Sequence, residues 1–295
     1  MIYIGVLIAI GLASGLSIYL AHIRIPQKVK GLEKAEELKS ILPGINCGAC
    51  GYPSCFGYAR ALSQNSDLVT KTPCAFVLQD PEGLGRLEKA LGVSLDAAGM
   101  SKKALIHCTG NSETVLNYSG IETCKAATQL LSGYKKCPFA CLGLGDCLKV
   151  CPADAISINP EKGVAVIDPR LCTGCGLCVI ECSQNLIELV PAETRITFLC
   201  NYKPLRNIPG RERCDYACTH CRKCYKACED EAIVWNKEKA VPEFIQEKCT
   251  LCGKCIDVCE QHTLADFTKW DKAPEPERVI IRAAEGSGGC HADIP

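Results

Sequence analysis

The stretch INCGACGYPSC, Ile45–Cys55, sets Cys47, Cys50 and Cys55 close together among Gly and Pro. Thiols spaced in this way could form a disulfide framework, hold zinc, act as a redox dithiol or ligate an iron–sulfur cluster. The rest of the chain narrows the choice. It carries 25 cysteines in 295 residues, and an odd total fits poorly with a complete disulfide set. Repeated C-x2-C spacing reads as metal binding by thiolates, which requires a reducing compartment. With only five His, Cys/His zinc fingers are not the main theme.

From Cys137 onward the chain repeats itself. Copy one has Cys137, Cys141, Cys147 and Cys151, followed by Pro152, and then Cys172, Cys175, Cys178 and Cys182. Copy two has Cys218, Cys221, Cys224 and Cys228, and then Cys249, Cys252, Cys255 and Cys259. The unit recurs at an offset of 77 residues, with KVCPADAISIN set against KACEDEAIVWN. Each unit uses the C-x2-C-x2-C-x3-C pattern twice. That is the bacterial ferredoxin arrangement of two [4Fe–4S] clusters, in which the fourth Cys of each run ligates the other cluster. Three neighbouring thiolates cap three iron corners, and the fourth corner ties the two halves together.

This pattern assigns Cys137, Cys141, Cys147 and Cys182 to cluster one, and Cys172, Cys175, Cys178 and Cys151 to cluster two. Cluster three takes Cys218, Cys221, Cys224 and Cys259; cluster four takes Cys249, Cys252, Cys255 and Cys228. Zinc ribbons built from C-x2-C pairs need four Cys per site and do not predict the triads. Copy one departs from strict spacing, running C-x3-C-x5-C-x3-C, and its Gly-rich LGLGD insert can loop out. In copy two Glu229 replaces the Pro that follows the fourth Cys. AISINPEKGVAVI and AIVWNKEKAVPEF each read as two short strands around a turn.

With four clusters downstream, the Cys47 run needs a fourth thiol, and Cys74 in KTPCAF is the next available. Cys47, Cys50, Cys55 and Cys74 then form a fifth [4Fe–4S] site, with zinc as the alternative. Gly48 and Gly51 let backbone N–H groups approach the cluster sulfurs. PSCFGYARALS predicts a short helix with Pro53 near its start. An apolar N-terminus, the charged stretch KGLEKAEELKS, the CGACGYPSC…PC module and the ferredoxin-like units follow in one order. That order resembles the B subunit of the Rnf-type membrane electron transport complex in its longer, anaerobe-type form. The resemblance covers roughly residues 1–267, and CGACGYPSC and CPFACLGLGDCLKVCPADAI are its most specific parts. It implies a subunit of an ion-translocating ferredoxin:NAD-type oxidoreductase. This subunit would relay electrons from soluble reduced ferredoxin to membrane and peripheral partner subunits. A corrinoid iron–sulfur protein carries a similar CGxCGxPxC module, which leaves a subunit of another membrane oxidoreductase (a hydrogenase or carbon-metabolism enzyme) as the alternative. A zinc-based scaffold with no redox role is the alternative from a different class.

Five cysteines remain. Cys290 lies in the Gly-rich tail GSGGCHADIP and reads as a free thiol. Cys108, Cys124, Cys200 and Cys214 bracket the first ferredoxin unit. KALIHC and RITFLC read as strands ending at Cys108 and Cys200, and ETCKAATQLL as a helix carrying Cys124. Paired strand ends would gather these four thiols into a sixth [4Fe–4S] site; the alternative is buried structural cysteine. His107 and His220 stand beside these thiols and are assigned no role.

Met1–Ile23 contains no Asp, Glu, Lys or Arg. At helical rise, Ile2–Ala21 covers about 30 Å, the thickness of the hydrocarbon core. A cleaved signal peptide would want a basic n-region. Here no basic residue precedes the run, while Arg24, Lys28 and Lys30 follow it, which predicts a single-pass anchor in the cell (inner) membrane with cytoplasmic cluster domains. Gly11 and Gly15 form a GxxxG. Aromatic content of 6% argues for small units held by metal rather than large cores. Zero net charge leaves no electrostatic footprint for nucleic acid. No G-x-G-x-x-G in strand-to-helix context indicates a dinucleotide site, and no catalytic set stands out.

The expected fold class is α+β. A transmembrane helix (1–23) and a charged linker (24–40) lead to a cluster module (41–100) and a linking region (101–135). Two tandem ferredoxin-like units (136–190 and 214–267) follow, joined by a connecting segment (191–213), with a flexible tail (268–295). Anaerobic metal analysis checks this: about 24 iron per chain fits six clusters, about 20 fits five, and stoichiometric zinc with little sulfide contradicts the reading.

Overall fold

A computed structural model describes residues 11–20, 32–110, 112–129, 132–203 and 212–272. The chain divides into two compact units, Met1–Leu95 and Asp96–Pro295. Residues 11–20 are helical. Among the described residues no helix is long and apolar enough to cross a membrane. The rest of the expected anchor, residues 1–10 and 21–23, lies outside the described residues, as do most of the expected tail and Cys290.

The charged stretch expected as a linker is largely helical. In α1 (Leu32–Ile41) Ala35 and Leu38 are fully buried at helical spacing, while Glu33, Lys34, Glu36, Glu37 and Lys39 form the solvated face. The expected helix after Pro53 is α2 (Cys55–Gln64). The Ser54 side chain accepts from the Gly57 N–H at its start, and Tyr58, Ala59 and Leu62 are buried. Two single turns follow, α3 (Leu68–Lys71) and α4 (Ala75–Leu78). Then comes α5 (Pro81–Leu91), capped by Asp80 and ended by Gly92 in the left-handed region. Leu38, Leu62, Val69, Val77, Leu87 and Leu91 close a small core on which Cys50, Cys55 and Cys74 pack. Each fully buried Leu contributes about 2 kcal/mol. The Tyr58 hydroxyl donates to the Thr72 carbonyl at 2.7 Å, which fixes the chain just before Cys74.

The second unit is built on four two-stranded antiparallel sheets among the described residues. Both expected hairpins form: β2 (Ile156–Asn159) pairs with β3 (Val164–Ile167), and β6 (Ile233–Asn236) with β7 (Val241–Phe244). The strands expected before Cys108 and Cys200 also form, but they do not pair with each other. β1 (Lys102–Ile106) pairs with β4 (Ile187–Pro191), with Ile106 opposite Ile187. β5 (Ile196–Phe198) pairs with β8 (Leu264–Asp266). Each ferredoxin-like unit thus gains a strand from the segment before it. Beyond the strand ends the two segments meet in an isolated antiparallel bridge between Cys108 and Cys200. His107 supports that junction: its Nδ1 lies 2.6 Å from the Phe198 carbonyl and its Nε2 lies 2.9 Å from Glu188.

Between Asp96 and β1 lies the turn α6 (Ala97–Met100), and α7 (Cys124–Thr128) is the expected helix carrying Cys124. Four short helices carry the third cysteine of each triad: α8 (Asp146–Lys149), α9 (Leu177–Glu181), α10 (Lys223–Ala227) and α11 (Lys254–Asp257). Each begins after a residue in the left-handed region: Gly145, Gly176, Arg222 and Gly253.

Gly174 lies at φ +72°, and a Cβ there would stand 2.1 Å from the Lys102 carbonyl oxygen. Gly174→Ala is therefore expected to cost more than about 2 kcal/mol, from left-handed strain plus a backbone clash. An anaerobic thermal melt checks this; a midpoint equal to that of the parent protein would contradict the packing of this loop on β1.

Candidate iron–sulfur sites

In the first unit the structure brings Cys47, Cys50, Cys55 and Cys74 together. The Cys74 thiol feels the charges of Cys50 and Cys47, and Cys50 feels those of Cys47 and Cys55. Cys50 accepts from the Tyr52 N–H, and Cys74 from the N–H groups of Phe76 and Val77. Asn46 anchors the loop, its Oδ1 accepting from the Cys55 N–H at 2.8 Å. Burial raises both Cys50 and Cys74 above the ordinary thiol range.

In the second unit the ferredoxin-like loops are ringed by N–H···S hydrogen bonds. In three runs the fourth cysteine accepts from the N–H four residues on: Cys151 from Ala155 (3.4 Å), Cys182 from Leu186 (3.3 Å) and Cys228 from Ala232 (3.3 Å). Cys172 accepts from the Ala104 N–H on β1 at 3.3 Å, and Cys141 from the Ala165 N–H on β3 at 3.5 Å. Such bonds stabilise thiolate sulfur and tune cluster potential. None of the 24 cysteines within the described residues is in a disulfide.

Burial and mutual repulsion work against charging so many thiols. Desolvation first, and then the neighbouring Cys172, Cys175 and Cys151, push Cys178 up to about 12. Desolvation with Cys249, Cys228 and Cys252 pushes Cys255 up to about 11. Cys147 is raised further, by burial and then by Cys141, Cys124 and Cys182. Among the described residues no three Cys, His, Asp or Glu side chains are disposed to hold one metal ion. A cubane makes a different demand, since each of its four iron corners takes one thiolate. The absence of disulfides, the mutual proximity of the thiols and the N–H donors aimed at sulfur fit that group.

Several residues that shape these sites were given no role by the sequence. Lys135 is buried, and its ammonium donates to the Gly163 carbonyl at 2.7 Å. Desolvation lowers its pKa, while Cys141, Cys108 and Cys124 oppose that by favouring the charged form. Asp146 is also buried, and its Oδ2 accepts from the Lys125 N–H at 3.1 Å, which holds α7 beside α8. The GLGD sequence was the available signal for Asp146. His220 is oriented by the Ala240 carbonyl and its backbone N–H donates to Cys218 at 3.4 Å, so it supports a thiol through its main chain.

Loops of this kind, used repeatedly and paired within each half, define an iron–sulfur protein of the multi-cluster ferredoxin class. Residues 42–71 match the Fe-S cluster family, and residues 136–195 and 217–263 match the 4Fe-4S dicluster domain. The B subunit of the Na(+)-translocating ferredoxin:NAD(+) oxidoreductase complex of Acetobacterium woodii is 33% identical over 184 residues, 61% of this chain and 53% of that protein. The chain thus spans about half the length of that relative. The B subunit of the ion-translocating oxidoreductase complex of Methanosarcina acetivorans is 30% identical over 236 residues, 78% of this chain and 85% of that protein. The B subunit of the proton-translocating ferredoxin:NAD(+) oxidoreductase complex of Clostridium ljungdahlii is 30% identical over 241 residues, 80% of this chain and 81% of that protein. The chain belongs to this family, the B subunits of Rnf-type ion-translocating oxidoreductase complexes, and is an iron–sulfur electron-transfer subunit.

Because thiols at these positions hold their protons tightly without metal, protons compete with iron for the sulfurs. Anaerobic iron loss to a chelator is expected to be faster near about pH 6 than near about pH 8, and to abolish the cooperative thermal transition. Iron release independent of pH, or an unchanged melt, would contradict thiolate ligation as the source of stability.

Proposed function

We propose that the chain carries six [4Fe–4S] clusters and relays single electrons from a soluble reduced ferredoxin to membrane partner subunits of its complex. Each cluster, when bound, accepts and gives up one electron. The protein holds the thiolates, aims N–H groups at them and sets how much solvent reaches each sulfur. Five of the clusters are the one at Cys47, Cys50, Cys55 and Cys74 and the four of the two ferredoxin-like units. The sixth draws on the thiols that bracket the first unit. Met1–Ile23 anchors the chain as a single span with the cluster domains on the cytoplasmic side. This rests on the uncharged run and the basic residues that follow it.

The observation that carries the donor assignment is the uneven exposure of the thiols. In the first ferredoxin-like unit Cys137, Cys141, Cys147, Cys172 and Cys178 are buried, whereas Cys221 and Cys252 of the second unit are exposed. A soluble partner must bring its own cluster close, so the second unit is the entry side. The Cys47–Cys74 module, next to the anchor in the chain, is the exit side. The names of the Acetobacterium and Clostridium relatives, which include ferredoxin and NAD(+), support ferredoxin as donor and NAD as the eventual acceptor on another subunit.

Anaerobic mixing of the loaded protein with reduced ferredoxin tests the order. Cys47→Ala is expected to leave the rate at which the ferredoxin-like clusters are reduced within about twofold of the parent. Cys252→Ala is expected to slow it by an order of magnitude or more. The reverse pattern would place entry at the Cys47 module.

A further inference from the structure

The backbone around the first cysteine triad identifies which residue occupies each seat. In the three regular loops the second thiol lies between two residues in the left-handed region. These pairs are Gly174 and Gly176 around Cys175, His220 and Arg222 around Cys221, and Leu251 and Gly253 around Cys252. The irregular loop has the same signature, Gly143 and Gly145 at φ +73° and +81°, but the residue between them is Leu144.

The first seat matches as well. Cys172 accepts from the Ala104 N–H, and Gly174, two residues on, packs against the carbonyl of Lys102, two residues before Ala104. Cys141 accepts from the Ala165 N–H, and Gly143 packs with a would-be Cβ 2.4 Å from the carbonyl of Gly163, two residues before Ala165. Cys141 therefore corresponds to Cys172 as the first thiol. Leu144 occupies the place of the second, and Cys137 falls outside the loop.

A thiol from elsewhere fills the gap. Cys124 accepts from the backbone N–H groups of Asp146 and Leu144, so its sulfur lies over the vacated seat. The buried Asp146 holds α7 there through the Lys125 N–H. The thiols whose charges act on Cys147 include Cys124 as well as Cys141, Cys182 and Cys178.

Cys137 has other company. It shares a side-chain hydrogen bond with Cys214 and feels the charge of Cys108. Cys108 and Cys200 face each other across their β-bridge, and Cys200 feels the charge of Cys214. The Glu212 N–H donates to the Lys136 carbonyl at 3.2 Å, and Lys136 reaches Asp215 at 4.0 Å, which fixes the Cys214 segment beside Cys137.

We infer that Cys124 and Cys137 exchange places relative to the spacing rule. Cluster one is held by Cys124, Cys141, Cys147 and Cys182, and a sixth [4Fe–4S] site is formed by Cys108, Cys137, Cys200 and Cys214. That sixth site joins the two ferredoxin-like units. Cys108 accepts from the N–H of Cys141 at 3.4 Å, and Cys200 from the N–H of Cys218 at 3.5 Å, so each side abuts a ligand of a neighbouring cluster.

The inference rests on the iron–sulfur reading above, and the iron and acid-labile sulfide content of the parent protein tests that reading first. A parent chain without either fails the reading itself. With a loaded parent, Leu144→Cys provides the decisive rescue. Cys124→Ala is expected to lose iron, and Cys124→Ala with Leu144→Cys to regain the parent iron and sulfide content. Cys137→Ala is expected to gain nothing from Leu144→Cys. Rescue of Cys137→Ala, or of neither variant, overturns the exchange.

Paired deletions give a second readout that does not depend on the new thiol. Cys124→Ala with Cys147→Ala opens one site and removes about four iron, with no [3Fe–4S] signal in electron paramagnetic resonance. Cys137→Ala with Cys147→Ala opens two sites, removing about eight iron or leaving [3Fe–4S] signals. The opposite assignment of these two outcomes overturns the proposal.

Discussion

Packing thiolates together inside a protein is electrostatically expensive, and the rest of this structure is organised around that cost. Each cysteine that leaves water loses solvation, and each neighbour of like charge adds repulsion. Burial and neighbouring thiols together hold Cys147, Cys178 and Cys255 in the protonated form. Iron offsets this, and so do the backbone N–H groups aimed at Cys141, Cys151, Cys172, Cys182 and Cys228. To present those groups the loops must turn tightly, which explains the paired left-handed residues around the second seats. The apolar clusters are correspondingly modest and include cysteines among their members.

Much of the fold was legible because it follows from local rules. The turns in NPEKG and NKEKA separate short strands of β-formers, and both hairpins form where they were expected. The triads marked the cluster loops, and Pro53 marked the start of α2. The pairing of β1 with β4 and of β5 with β8 was not legible, since three- to five-residue strands carry too little pattern to choose a distant partner. Nor did KGLEKAEELKS reveal that its two buried residues, Ala35 and Leu38, suffice to seat a helix amid so many charges.

The exchange proposed for the irregular triad departs from reading by spacing, and the departure has a physical reason. Spacing was counted from the nearest cysteines, which made Cys137 and Cys141 the first two seats. The offset of 77 residues already set Cys218 opposite Cys141 and Cys221 opposite Leu144. What sequence could not supply was the position of Cys124, which depends on a buried carboxylate, Asp146, meeting the backbone of a helix more than a loop away. Family membership fits the electron-carrying reading. The residues that distinguish one cluster's surroundings from another's, such as Lys135 and His220, act through contacts that no motif records.

The strands lent across the boundaries carry a consequence for how this protein can be divided. The sulfur of Cys172 takes its hydrogen bond from Ala104, well upstream of the dicluster match that begins at residue 136. The second dicluster match, 217–263, is likewise backed by β5 from residues before it, which pairs with β8 just past its end and whose Ile196 and Phe198 share a core with Ile233 and Cys255. The segments that look self-contained in sequence are therefore not autonomous modules that recombination could move intact. Each would leave part of its own shell behind, so inheritance has to keep the linker and the ferredoxin together as one piece.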